Sequence, residues 1–266
     1  MADWDIVIIG GGATGLSAAA AVRDKNLSCL IIDRMGGGGE LMNLGPLHGL
    51  ETEETGPDLF ARLMEQATGA GAELGIAEVT GLTQTETGWR IATDDETHSA
   101  KAVILATGLT PGTLGLANEA DFEGMGLSHC AACDGPLYVG QPVVVAGASR
   151  WALQEARELA ENGSQVTLIT QGEPAPTLDN ITVVDGRITA LEGSPGLDAV
   201  RIDVAPHRIE TQVVFVQTGR RPARGFVPDT KHPTLIDAGT PQTLAEAMEN
   251  GRKAVAALAP LGKSAA

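Results

Sequence analysis

Apolar residues in the first third of the chain gather into short runs separated by polar turns. Asp5 to Ile9 is a strand-length run, Gly10, Gly11 and Gly12 follow, and Ala13 to Arg23 has helix-compatible spacing. Ser28 to Ile32 is a second strand-length run, closed by Asp33. Met35 to Glu51 is glycine-rich and reads as a flexible loop. After Gly56-Pro57, Leu59, Leu63 and Met64 recur at helical spacing. The stretches AELGIAEVTGL and GWRIATDD predict strands of a small sheet, and KAVILATG predicts a buried strand ending in Ala106-Thr107-Gly108. From Gln141 the order strand, turn, helix, strand returns in QPVVVAGASRWALQEARELAENGSQVTLIT. TQVVFVQTG reads as a late strand. TPQTLAEAMENGRKAVAAL reads as a closing helix, with Pro241 near its start and Leu244, Ala247, Met248, Ala254 and Leu258 in phase; APLGKSAA follows as a frayed tail. The pattern predicts an α/β protein built on two related β-α-β units.

At 266 residues the chain is long enough for two domains. Its formal net charge of -16 excludes a nucleic-acid or anionic-membrane partner and accounts for solubility. Met1-Ala2-Asp3-Trp4-Asp5 lacks a basic leader, and no apolar run reaches the length of a membrane span. With an odd count of three cysteines, one of them in the apolar run at Cys29, we expect a cytoplasmic protein rather than a secreted disulfide framework.

The first glycine turn has strand before it, helix after it, Gly15 at the third position and an acid, Asp33, at the end of the next strand. That context points to a dinucleotide site. Gly10 permits the turn, Gly12 lets backbone approach a pyrophosphate, Gly15 lets helix pack on strand, and Asp33 accepts from an adenosine ribose.

Cys130 and Cys133 stand in LSHCAACDG. A structural zinc site needs four ligands; this chain has one pair, with His129 adjacent and the other histidines scattered, so no metal is expected. A redox dithiol fits better, with a helix N-terminus raising the thiolate fraction. Asp134 is placed to shuttle a proton, to cap a helix, or both. Cys29, among apolar neighbours, reads as an inert core thiol.

The segment GLSHCAACDGPLYVGQPVVVAG resembles the redox segment of the low-molecular-weight thioredoxin reductases, whose pattern is C-A-x-C-D-G, and the resemblance runs over most of the chain. IIGGGATGLSAA is similar to that family's FAD pyrophosphate loop, GGELMN to its loop beside the flavin, and the closing helix to its FAD-side helix. The resemblance implies two Rossmann-like three-layer domains, the second inserted in the first. Residues 1-115 and 229-266 would bind FAD, and 116-228 would form a redox domain of degenerate NADPH-binding type. It implies that Cys133 exchanges electrons with the flavin, that Cys130 meets the partner disulfide and that Asp134 is the acid/base. FAD would be held by Gly10, Gly12, Ala13, Thr14, Gly15, Asp33, Arg34, Gly39, Glu40, Leu41, Asn43, Val79, Ala106, Thr107, Gly108, Asp237, Gln242 and Thr243. For the family's acid near the flavin, either Asp237 serves or Gly239-Thr240 aligns with its Gly-Asp and the acid is lost. A homodimer is also implied.

The second glycine unit departs from the family. Ser149 replaces the second loop glycine, Trp151 stands where the family has a small residue, and QGEPAP follows the strand where the family has arginines for the 2′-phosphate. We therefore expect NADPH not to be the donor, with Glu173 leaving NADH open. The leading reading is a reductase of thioredoxin or a similar small disulfide protein, fed by ferredoxin or flavodoxin. The alternatives are a flavin-dependent dithiol oxidase using oxygen and a non-catalytic flavin redox sensor.

Overall fold

The computed structural model describes residues 3–22, 25–45, 47, 54–241 and 243–258. Part of the Met35–Glu51 loop, Arg23, Gln242 and the APLGKSAA tail lie outside the described residues. The chain divides into two compact units, Met1–Leu109 with Pro222–Ala266, and Thr110–Arg221. The crossings fall earlier than the boundaries expected near 115 and 229.

The first unit opens with β1 (Trp4–Ile9), α1 (Ala13–Val22) and β2 (Cys29–Asp33). A 3-10 turn at Gly39–Asn43 then lies inside the stretch expected to be a flexible loop. Helix α2 (Gly56–Gly69) starts where the sequence says it must. Thr55 and Asp58 form a capping box, with a proline in the first turn. β3 (Ala72–Ile76), β4 (Val79–Thr85), β5 (Gly88–Thr93) and β6 (Thr97–Leu105) follow. The chain leaves through β7 (Leu109–Pro111).

The second unit holds β8 (Leu127–Ser128), a one-turn α3 (Ala131–Asp134), β9 (Pro142–Ala146), α4 (Arg150–Glu161) and β10 (Gln165–Ile169). It continues with β11 (Thr182–Val184), β12 (Ile188–Glu192), β13 (Ala199–Ile202), β14 (Arg208–Glu210) and β15 (Val214–Val216). The return is by β16 (Arg220–Pro222), which pairs with β7, so exit and re-entry run side by side. β17 (Leu235–Asp237) and α5 (Leu244–Ala257) close the first unit.

In the first unit the sheet runs β3-β2-β1-β6-β5-β4, with β17 also on β6. The long β6 explains this arrangement. Its first half pairs antiparallel with β5, and its second half pairs parallel with β17. Alternate residues of β1 serve opposite layers, as strand geometry requires. Ile6 and Ile8 pack with Leu16, Leu59 and Val255 under the helices, while Val7 and Ile9 pack with Leu82, Trp89 and Ile91 on the meander side. β3 is thus an edge strand of the main parallel sheet, correcting its assignment to the small sheet. Its register, Cys29↔Ala72 to Asp33↔Ile76, continues the parallel ladder. The second unit repeats the plan: a parallel sheet β11-β10-β9-β15-β8, helices on one face, and the separate sheet β12-β13-β14 on the other.

Trp89 is 1% exposed, donates to Thr234 Oγ1 at 2.9 Å and meets the His232 ring edge-on. Trp89→Ala is expected to cost about 3–5 kcal/mol through cavity and lost contacts, read as a lowered urea midpoint for the first unit. An unchanged midpoint would contradict the packing described.

Candidate active site

In the first unit the predicted cofactor residues gather at the carboxyl ends of the parallel strands, the place where such sheets bind ligands. Gly10 has φ +105°, and a Cβ there would overlap the Ala106 carbonyl; one on Gly15 would overlap the Gly10 carbonyl. A Cβ on Gly12 would meet no atom within 4 Å. Of the three, therefore, only Gly12 faces free space, which is what close approach of a pyrophosphate requires. Ala13 is buried and Thr14 half-buried at the start of α1. The Thr14 carbonyl lies against Gly251 of α5, where any Cβ would clash.

Asp33 holds the loops as well as facing the site. Its Oδ2 accepts from Gly11 N–H at 2.8 Å, and its Oδ1 from Met35 at 2.8 Å and Gly37 at 3.0 Å. Oδ2, with one bond, keeps a lone pair for a hydroxyl. Arg34, Gly39, Glu40 and Asn43 are exposed around this loop, and Leu41 is buried. Val79 begins β4 just past Ala77, whose N–H bonds to Asp33; its side chain belongs to the core.

Ala106, Thr107 and Gly108 extend β6 beside the end of β17, where Asp237 pairs in register with Leu105. Arg224, which the sequence reading passed over, binds Asp237 with both arms of its guanidinium and also bonds to Thr107. Burial pushes the Asp237 carboxyl up. Hydrogen bonds from Arg224 and the Gly239 N–H outweigh that and hold it below the usual carboxylate range. Gly239-Thr240 follows in the next loop. Thr243 is the N-cap of α5, accepting from Glu246 N–H at 3.1 Å. Gln242 lies outside the described residues.

The second unit carries Cys130 and Cys133 joined as a disulfide, with Cα atoms 5.3 Å apart. Ser128 Oγ accepts from Cys130 N–H at 3.2 Å. The N-cap of α3 is Cys130 itself, whose sulfur accepts from Cys133 N–H at 3.2 Å. Asp134 ends that turn and makes no side-chain cap bond, so the capping alternative considered for it is corrected. Cys133 is exposed, Cys130 and Asp134 half-buried. His129, one residue ahead, has its ring between Val216 O at 3.4 Å and Glu123 Oε1 at 3.2 Å. Cys29 is buried, and burial pushes its thiol up to about 12.

Two charged residues near this turn and its glycine loop had no linear signal. Glu155, in α4, is half-buried, and its Oε2 is buried without a partner among the described residues. Burial pushes this carboxyl up to about 7, against the weaker opposing pull of the nearby Ala131 N–H and Gln217 amide. Arg187 lies with its guanidinium against Gly172, in the loop after β10 where the family's arginines are missing.

The second glycine loop repeats two bonds and one close approach of the first. Gly10 N–H bonds to Ile32 O and Gly147 N–H to Ile169 O, both at 2.8 Å. A Cβ on Gly147 would overlap the Gln217 carbonyl, as one on Gly10 would overlap that of Ala106. Glu173 Oε2 takes the Ala148 N–H at 3.3 Å, the bond that Asp33 makes to Gly11. At the position equivalent to the open Gly12 stands Ser149, whose hydroxyl caps α4 by accepting from Ala152 N–H at 3.2 Å. Trp151 is half-exposed beside it, with Arg150 and Arg220 over its ring at 5.5 and 5.9 Å.

Two dinucleotide-type α/β units, one inserted in the other and carrying a Cys-x-x-Cys disulfide, define a disulfide oxidoreductase of the two-domain flavoprotein class. The chain belongs to the pyridine nucleotide-disulphide oxidoreductase family, whose profile it matches over residues 4–182. A thioredoxin reductase of Treponema pallidum (strain Nichols) is 31% identical over 248 residues, covering 86% of this chain and 80% of that protein. The crystal structure of T. acidophilum thioredoxin reductase matches with a TM-score of 0.78 and 27% identity, over 97% of this chain and 98% of that one. A ferredoxin-flavin thioredoxin reductase from Clostridium acetobutylicum, 20% identical, shares the fold with a TM-score of 0.54 over 97% of each chain. The protein is accordingly an FAD-dependent disulfide oxidoreductase of the low-molecular-weight thioredoxin reductase kind. No helix among the described residues is long and apolar enough to cross a membrane.

Proposed function

We propose that this protein reduces the disulfide of thioredoxin or a similar small protein through Cys130 and Cys133, that it works as a homodimer, and that its flavin is fed by a protein donor such as ferredoxin or flavodoxin rather than by NADPH. The Cys130–Cys133 disulfide on an exposed turn of the inserted unit carries the reading. FAD, when bound, supplies the two-electron reductant that opens this disulfide. The open space at Gly12 and the Asp33 carboxylate fit the group. Ala13, Thr14 and Gly15 would hold its pyrophosphate side and Ala106 to Gly108 its flavin side.

The steps of the chain itself follow from thiol chemistry. The Cys130 thiolate attacks one partner sulfur, breaking the partner's S–S bond and forming a mixed disulfide. The Cys133 thiolate then attacks Cys130 Sγ. This restores the Cys130–Cys133 bond and expels the sulfur that Cys130 had attacked, to which Asp134 passes the proton it takes from the Cys133 thiol; the other partner sulfur left as a thiolate in the first step and takes its proton from water.

The donor assignment rests on the second loop. Its carboxylate, Glu173, sits where Asp33 sits in the first, which suits ribose hydroxyls and repels a 2′-phosphate dianion. Anaerobic mixing of oxidised protein with excess NADPH is expected to leave the flavin yellow, while reduced ferredoxin or flavodoxin bleaches it; prompt bleaching by NADPH would overturn the assignment. Arg187 favours a second reading, in which this one guanidinium replaces the missing arginines. Under that reading NADPH bleaches the flavin, and Arg187→Ala weakens the response at least about tenfold.

A further inference from the structure

We propose that Arg224 is a positioning residue of the cofactor site, a fork that spans Thr107 and Asp237 and leaves them presenting one hydrogen-bond donor and one acceptor to the hydroxyls of a polyol chain. The inference rests on the FAD reading above, since the ribityl chain of FAD is such a polyol. All three residues belong to the first unit. Arg224 follows the return crossing, and its backbone is fixed on both sides. The Ala223 N–H bonds to Gly108 O at 3.3 Å, and the Val227 N–H closes a turn onto Arg224 O at 3.0 Å. Asp237 ends β17 in register with Leu105, and the next N–H, of Ala238, bonds to Leu105 O at 3.0 Å. Thr107 stands two residues past Leu105 on the neighbouring strand end. The Arg224 side chain is 19% exposed and that of Asp237 55%, so the guanidinium is the covered member and the carboxylate the accessible one.

Counting donors and acceptors shows what the fork leaves open. A guanidinium carries five N–H donors in one plane. Nε donates to Asp237 Oδ2 at 3.1 Å, Nη2 to Asp237 Oδ1 and Nη1 to Thr107 Oγ1. Oδ1 also accepts from the Gly239 N–H at 2.8 Å and is filled. Oδ2 holds one bond and keeps a lone pair. Thr107 Oγ1 accepts from Arg224, so its own O–H turns elsewhere, and it has no acceptor among the described residues. One charged acceptor and one hydroxyl donor therefore remain at the carboxyl ends of β6 and β17. Alcohols both donate and accept, and a chain of them answers both groups, whereas a phosphate offers no proton to Oδ2. The guanidinium also neutralises the carboxylate, so that a pyrophosphate in the same site is not repelled. A lysine could not replace it, because a point donor does not hold two groups in one plane.

The test is a double-mutant cycle on FAD affinity in the full-length protein, read from the flavin fluorescence released on dilution. The visible circular dichroism of the flavin that stays bound is recorded alongside. Arg224→Lys keeps the charge and loses the fork, and is expected to raise the FAD Kd about tenfold; Asp237→Asn is expected to do the same. Because Arg224 acts through Asp237, the double variant is expected to lie within about threefold of the weaker single, with the same altered dichroism in all three. Losses that multiply to about a hundredfold overturn the proposal, as does bound flavin with wild-type dichroism in Arg224→Lys, the mark of a merely structural role. Wild-type affinity in Arg224→Lys overturns it and leaves the cofactor role of Asp237 standing. Wild-type affinity in Asp237→Asn overturns it together with that role. If Arg224→Lys does not fold, Arg224→Gln, with its planar amide donor, takes its place in the cycle under the same outcomes. The assay uses neither a protein partner nor an electron donor, so its failure is distinguishable from failure of the proposed function.

Discussion

Cys133→Ser is expected to lower the rate of thioredoxin-disulfide reduction at least about 10³-fold while leaving the flavin bound. Loss of one sulfur removes the only route by which the Cys130–Cys133 bond can re-form, since Cys29 is buried in the other unit. By the proposed roles Cys130 still attacks the partner, so the variant should accumulate a covalent mixed disulfide that survives non-reducing electrophoresis and dissolves in dithiol. Cys130→Ser should be equally inactive and trap nothing. Retention of more than a tenth of wild-type turnover by either variant would remove the pair from the reaction. Trapping by Cys130→Ser in place of Cys133→Ser would reverse the roles of the two sulfurs.

Gly10→Ala is the second change with a large expected effect. The residue stands at φ +105°, where an L side chain is strained, and the added carbon would overlap the Ala106 carbonyl. Ala106 cannot easily retreat, because its N–H bonds to Ile9 O at 2.8 Å and continues the ladder between β1 and β6. A loss of about 3 kcal/mol or more is expected, with protein that is poorly soluble or colourless. Gly12→Ala is the informative partner. Its Cβ meets nothing, so the fold should hold within about 0.5 kcal/mol. The flavin-to-protein absorbance ratio should nevertheless fall if, as proposed, the cofactor approaches through this free space. If Gly10→Ala is as yellow and stable as wild type, the loop geometry described here is wrong.

Much of the first unit is legible in the sequence because it depends on local rules. DIVII, three glycines, a small-residue helix and a terminal acid can hardly fold otherwise, and Thr55-x-x-Asp58 announces α2. The strands β12, β13 and β14 left no clear trace in the pattern. They are short, and their apolar residues, among them Leu191, Val200 and Ile202, become meaningful only against the face of a sheet formed elsewhere. Electrostatic partnerships were the least visible. Glu155 lies in LQEARELAENG, which reads as an ordinary solvated helix face until α3 covers it. Arg187 reaches Gly172 from beyond β11, so the absence of basic residues after β10 overstated how neutral that loop is. Arg224 meets Asp237 only because the return crossing and β17 both end beside Thr107.

The paired crossings have a consequence for the energetics of the chain as a polymer. Thr110 Oγ1 bonds to Arg221 O at 3.2 Å and Gly112 N–H to Gly219 O at 2.7 Å, so the inserted unit holds its own two ends together. To the surrounding unit, everything from 110 to 221 is a loop whose ends the insert itself holds together. The entropy of joining distant ends is met by folding of the insert, and the host sees a connection hardly costlier than a tight turn. Its stability is then insensitive to how long the insert is, which makes the segment a natural place for lengthening, trimming or wholesale exchange without unfolding the rest.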